Sequence, residues 1–171
     1  MTLVGPRHEG LLAELAQRIF EAGGNVEESR GTQLAGAQVA YLAITGNWRT
    51  LDKLEKQLPD FAATHQLDCT VTRMRADEDD DSAAMPYSVD VVALDQPGVL
   101  RALADFFHAH GVVVREWQTR VYRAGSNATR MLSANLLIDI PADRHLASLR
   151  ADFMDFCDDL NLDGVLDPVK A

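Results

Sequence analysis

Two short stretches of this chain offer a natural place for a small anion at backbone amides. Asp95-Gln96-Pro97-Gly98-Val99-Leu100 follows the apolar run ending at Ala93, and Gly5-Pro6-Arg7-His8-Glu9-Gly10-Leu11 follows Leu3-Val4. Pro97 stops the run before it, and in each stretch a glycine, Gly98 or Gly10, admits a tight entry into an amphipathic helix. A helix start of this kind aims unsatisfied N–H groups, those of Gly10-Leu11 and Gly98-Val99, beyond the strand end, where an oxyanion can sit. Asn25 adds a side chain that is both donor and acceptor. The other polar residues offer less. Arg7, His8 and Glu9 form a dense polar turn with no nucleophile or second base spaced to join His8, and the turn reads as solvated. His108 and His110 lie two apart near a helix end and face different sides, without metal-ligand spacing. His65 and His145 stand alone. No Gly-rich phosphate loop, nucleophile elbow or zinc motif occurs, so no catalytic residue, cofactor or metal is expected.

The elements that position these turns come twice. Gly98 lies 88 positions after Gly10, and the same shift carries Leu12 onto Leu100, Leu15 onto Leu103, Ile19 onto Phe107, Gly23 onto Gly111 and Val26 onto Val114. Matching helical stripes are common; two glycines at identical offsets bounding the same helix are not. The chain therefore reads as two copies of a domain of roughly 75–85 residues, within the usual domain range. The first occupies residues 1–75 with its first strand cut short, either because that strand is short or because the natural start lies upstream of Met1. Residues 76–85 are an acidic linker and 86–171 the second copy.

Within the first copy the patterns predict a helix over 10–22, strands over 25–34 and 38–45, a second helix from the cap Asn47 to Pro59, and a strand over 69–74. Leu12, Leu15 and Ile19 are the expected core stripe. The second copy repeats the order, with strands over 87–94, 112–122, 131–140 and 164–169 and helices over 98–110 and 143–160. Each copy is thus β-α-β-β-α-β, an α+β, ferredoxin-like arrangement. Right-handed crossovers put both helices on one face of a four-stranded antiparallel sheet. Its strand edges invite pairing with another sheet, so a homo-oligomer is expected.

Composition narrows the function classes. The net charge is −10, and residues 76–85 contribute half of it through Asp77, Glu78, Asp79, Asp80 and Asp81. No basic stripe is left to neutralise phosphates, which argues against direct nucleic-acid binding and against an anionic membrane surface. No apolar run approaches the ~18 residues of a membrane span, and no secretory signal precedes the first turn. Cys69 and Cys157 fall in separate copies without Cys-x-x-Cys spacing, as expected for buried thiols of a reduced, cytoplasmic protein.

A tandem β-α-β-β-α-β repeat with Asp95-Gln96-Pro97-Gly98-Val99-Leu100 after one first strand, and Gly23-Gly24-Asn25-Val26-Glu27 leading into the other second strand, resembles the ACT family of amino-acid-sensing regulatory domains. The resemblance covers both copies. It implies a small amino acid, glycine among the candidates, held between ACT modules, and control of transcription through a DNA-binding partner protein rather than through DNA contact. The candidate ligand residues are Arg7, His8, Gly10, Leu11, Asn25 and Val26 in the first copy and Asp95, Gln96, Gly98 and Val99 in the second. Two departures qualify them: Arg7-His8-Glu9-Gly10 lacks the acid and proline of D-x-P-G, and Val113 replaces the Asn25 equivalent. A composite site and a copy turned purely structural both remain open, as does the reading of the turns as architecture only. The competing function is a ligand-free regulatory or structural subunit of a metabolic enzyme.

Overall fold

A computed structural model describes residues 1–74, 84–126 and 128–169. Contacts between Cα atoms divide the chain into two compact units, Met1–Ala76 and Asp77–Ala171. The acidic linker expected over 76–85 lies almost wholly outside the described residues.

The first unit runs β1 (Thr2–Pro6), α1 (Leu11–Glu21), β2 (Asn25–Leu34), β3 (Ala37–Thr45), α2 (Trp48–Thr64) and β4 (Asp68–Thr70). Its sheet has the order β2-β3-β1-β4, every pair antiparallel. Gly10 opens α1 in the left-handed region at φ 83°, which a residue with a Cβ adopts only at a cost. Leu11, Leu15 and Ile19 then fall four apart along one face and are buried with Leu3, Leu42, Leu54, Leu58 and Phe61. The expected stripe was one residue out at its start: Leu12 is 68% exposed, and Leu11 takes the core position.

Asn47 caps α2 as its type predicts, its Oδ1 accepting from the amides of Arg49 and Thr50 at 3.0 Å. Pro59, expected to end the helix, lies inside it. The missing N–H costs one helical bond, and burial of Leu58, Phe61 and Ala62 around it holds the next turn in place. The last strand is shorter than expected, Asp68–Thr70 in place of 69–74.

The second unit repeats the order as β5 (Met85–Leu94), α3 (Val99–Ala109), β6 (Val113–Ala124), β7 (Thr129–Ile140), α4 (Leu146–Leu160) and β8 (Asp163–Pro168), in a sheet ordered β6-β7-β5-β8. The two-fold repetition extends to irregularities. The ladder shifts between Val26 and Glu28 in β2 and between Val114 and Glu116 in β6, positions again 88 apart. The helix-face correction repeats too, since Val99, Leu103 and Phe107 are buried while Leu100 is 40% exposed. The β6–β7 hairpin is longer: Asn25 faces Thr45, but Val113 faces Asp139, so the offset between copies widens across it. This core is more aromatic, with Phe106, Phe107, Phe153 and Phe156 in mutual ring contact.

Candidate functional site

In the first unit the β1–α1 turn is closed by the His8 amide, which donates to Gln38 Oε1 at 2.9 Å across the start of β3. The first helical bond of α1 runs from the Glu14 amide to the Gly10 carbonyl. It leaves the amides of Leu11, Leu12 and Ala13 outside the helical ladder, facing the turn. Beside them is a cleft of about 420 Å³ walled by Leu11, Leu12 and Leu15 of α1 and by residues 29–33 of the edge strand β2. The Leu11 side chain is buried, so its amide is what the residue can offer a ligand. Arg7 stays at the surface, paired with Glu9 at 3.5 Å.

Asn25 and Val26 lie elsewhere. They begin β2 after α1 has ended, and the 11 residues of α1 put about 16 Å between its two ends. Asn25 Nδ2 donates to Glu27 Oε1 at 3.0 Å, and Thr45 Oγ1 donates to the same oxygen at 2.7 Å. These two hydrogen bonds, that from Thr45 foremost, hold the Glu27 carboxyl below its ordinary value. Val26 packs against the core. Within one unit, therefore, the turn amides and Asn25 do not converge on one small molecule.

In the second unit Gly98 starts α3 at φ 95° and Val99 is buried behind it. Gln96 is exposed. The Asp95 carboxylate is held by Arg130 of β7, with Nη2 at 2.6 Å and Nε at 2.8 Å, while the Asp95 amide donates to the Arg130 carbonyl at 3.0 Å. Asp95 thus pins its turn to the neighbouring strand.

The structure also assembles a cluster that residue spacing hides. His65, expected to stand alone, caps α2 and lies against His8, with ring centroids 4.1 Å apart. Both imidazoles face Glu14 of α1, His8 Nε2 at 3.0 Å from Oε1 and His65 Nε2 at 3.2 Å from Oε2. The hydrogen bond from His8, more than the charges nearby, lowers the Glu14 carboxyl. The reading of His8 as a solvated residue without a second base is corrected here. β4 runs antiparallel to β1 beside it, so the C-terminal end of α2 must return to the end of the sheet where β1 gives way to its turn. His110 behaves as expected of a histidine at a helix end, its Nδ1 2.8 Å from the Phe106 carbonyl.

With two βαββαβ units and these strand-to-helix turns described, the class follows. Residues 1–72 match the family model of the ACT domain, and the second unit repeats that topology, so the chain has the α+β architecture of tandem ACT domains. More particularly, it is similar to the proteins named glycine cleavage system transcriptional repressor of Escherichia coli K12 and of Shigella flexneri. Each is 24% identical over 172 aligned residues, covering 99% of this chain and 89% of the relative. Among solved structures, one provisionally ascribed to a glycine cleavage system transcriptional repressor superposes with a TM-score of 0.75 at 19% identity, over 99% of this chain and 95% of that one. An unknown protein from Galdieria sulphuraria superposes with a TM-score of 0.76 at 16% identity, over 99% and 96%. No helix among the described residues is long and apolar enough to cross a membrane.

Proposed function

We propose that this chain is a non-catalytic regulator that senses a small amino acid and controls transcription through a DNA-binding partner protein. The observation that carries the reading is the β1–α1 turn of the first unit. Its helix-start amides open beside a concave, partly polar cleft, in a chain whose relatives are named as transcriptional repressors. The amides of Leu11 and Leu12 would take the ligand carboxylate, the end of the helix where negative charge is favoured. Arg7, His8 and Gly10 would shape the mouth of the site. Asn25 would serve the ammonium group only from another module, because in its own unit the length of α1 intervenes. Asp95, Gln96, Gly98 and Val99 would form a second site only if a ligand competes with Arg130 for that turn. The excess acid and the absence of a basic stripe support action through a partner over direct DNA contact.

Ligand occupancy would change regulation only through unequal affinity for two arrangements of modules or partners. Calorimetric titration of the full chain with glycine, serine and alanine tests this. Saturable heat that disappears in Gly10→Val, a variant that adds a Cβ at a left-handed position beside the amides, is the expected result. No heat and no thermal shift at millimolar amino acid would favour the ligand-free subunit. Asn25→Ala separates the composite site, which loses affinity, from a site complete within one unit, which does not.

A further inference from the structure

The first unit brings three Lewis-basic side chains from three elements to one point: His8 from the β1–α1 turn, Glu14 from the first turn of α1 and His65 from the cap of α2. Their donor atoms all lie within 4.8 Å of one another, with the nitrogen-to-carboxylate separations at 3.0 and 3.2 Å. Three such donors facing inward need a cation among them, a proton or a metal ion. Zinc bonded tetrahedrally at 2.0–2.2 Å places its donors about 3.3 Å apart; His8 lies within a few tenths of an ångström of that from Glu14 Oε1 and His65 from Glu14 Oε2, so a small movement would seat both imidazoles and the carboxylate on one ion. Two imidazoles and one carboxylate suit zinc and its late first-row neighbours, whereas calcium and magnesium take oxygen ligands.

We infer that His8, Glu14 and His65 form a binding site for a zinc-class divalent cation, with three protein ligands and a fourth position for water or a small ligand. The donors are held by their surroundings. Gln38 fixes the backbone of His8, and the Phe61 ring packs 4.5 Å from that of His65. Two of the three side chains, His8 and His65, are substantially shielded from solvent.

The second unit provides an internal control. The 88-residue shift places Gln96 and Ala102 where the first unit has His8 and Glu14. The turns after α2 and α4 close with matching bonds, the Leu67 amide to the Ala62 carbonyl and the Leu162 amide to the Cys157 carbonyl, so Leu160 occupies the place of His65. None of Gln96, Ala102 and Leu160 is a zinc ligand by type. Among the described residues the second unit therefore has no counterpart of this site; the site shares His8 with the proposed amino-acid site but needs no amino acid to form.

The test uses the full chain, stripped with a chelator, dialysed and titrated with Zn²⁺ by calorimetry and with Co²⁺ by visible absorption. One equivalent of Zn²⁺ and the absorption of four-coordinate Co²⁺ are expected. Glu14→Gln keeps the size of the side chain and removes its charge. It and His65→Ala should each weaken Zn²⁺ binding at least about 100-fold, since even outer groups around a metal are worth 10- to 100-fold. Circular dichroism of both variants confirms the fold. Cys69→Ser should bind as the parent does. Absence of binding, binding unchanged in Glu14→Gln and His65→Ala, or loss of binding in Cys69→Ser would each overturn the site. Glycine titrated into the metal-free chain reads the amino-acid proposal separately.

Discussion

The two units share a backbone and differ in what they hang on it. Both start their first helix from a left-handed glycine, both shift register two residues into their second strand, and both close their second helix with the same turn. Yet the first unit surrounds its turn with His8, Glu14 and His65, whereas the second ties its turn down with Asp95 and Arg130. Along the second strand the contrast continues. Ser29, Gly31 and Gln33 line the cleft of the first unit, and the positions 88 residues on are Trp117, Thr119 and Val121, with Trp117 65% exposed. The two units share what the fold requires, the φ values and the ladder, and differ in what chemistry requires. The turn carrying Asp95-Gln96-Pro97-Gly98 is the one whose acid is already paired, and the turn carrying Arg7-His8-Glu9-Gly10 lies beside the cleft.

Each unit has a hydrophobic core of its own, and the largest effect tests whether each stands on it alone. Phe107→Ala empties a fully buried position in the aromatic cluster and should cost about 3–5 kcal/mol. Amide exchange should accelerate across 84–169 while residues 1–74 keep their protection; acceleration in both would merge the units into one cooperative block. Next is the buried Cys157 thiol, pushed up to about 11 from an ordinary 9.0, by burial first and then by Asp158 and Asp163. Because the folded state holds the proton more tightly, its contribution is complete below pH 9 and is lost as pH rises from there through 11. Thermal melts should show the second unit weakening over that range and Cys157→Ala weakening less steeply. Asn47→Ala removes two cap bonds in the first unit and should cost about 1 kcal/mol there, leaving the second transition in place. The smallest effect belongs to Asp95→Asn. Its pair with Arg130 is half in solvent, so the melting of the second unit should fall by less than about 1 kcal/mol. A larger loss would give that pair a structural weight the first unit's turn lacks.

Much of the architecture was legible because it rests on local rules. Glycine at fixed offsets, the capping Asn47 and the period-two strands each report a backbone requirement that residue type alone reveals. The errors came where tertiary packing chose among local options. Leu11 and Leu12 are equally apolar, and only the approach of the sheet decides which is buried. Pro59 reads as a stop, but burial of Phe61 beyond it carries the helix on. The histidine–glutamate cluster was invisible for a different reason. His8 and His65 are 57 positions apart, and their meeting follows from β4 pairing with β1, a relation that no spacing rule encodes. Asn25 shows the opposite limit: its type suits an amino acid, but one helix length separates it from the turn amides of its own unit.

The register shifts in β2 and β6 have a consequence beyond geometry. Both strands lie on the outside of their sheets, where an unbroken row of backbone groups would serve as a template for endless stacking of copies. A kink at residues 26–28 and again at 114–116 interrupts that template near its start and coils the strand away from flatness. The chain thus carries, in duplicate, an interruption of the kind that works against unlimited strand-on-strand growth.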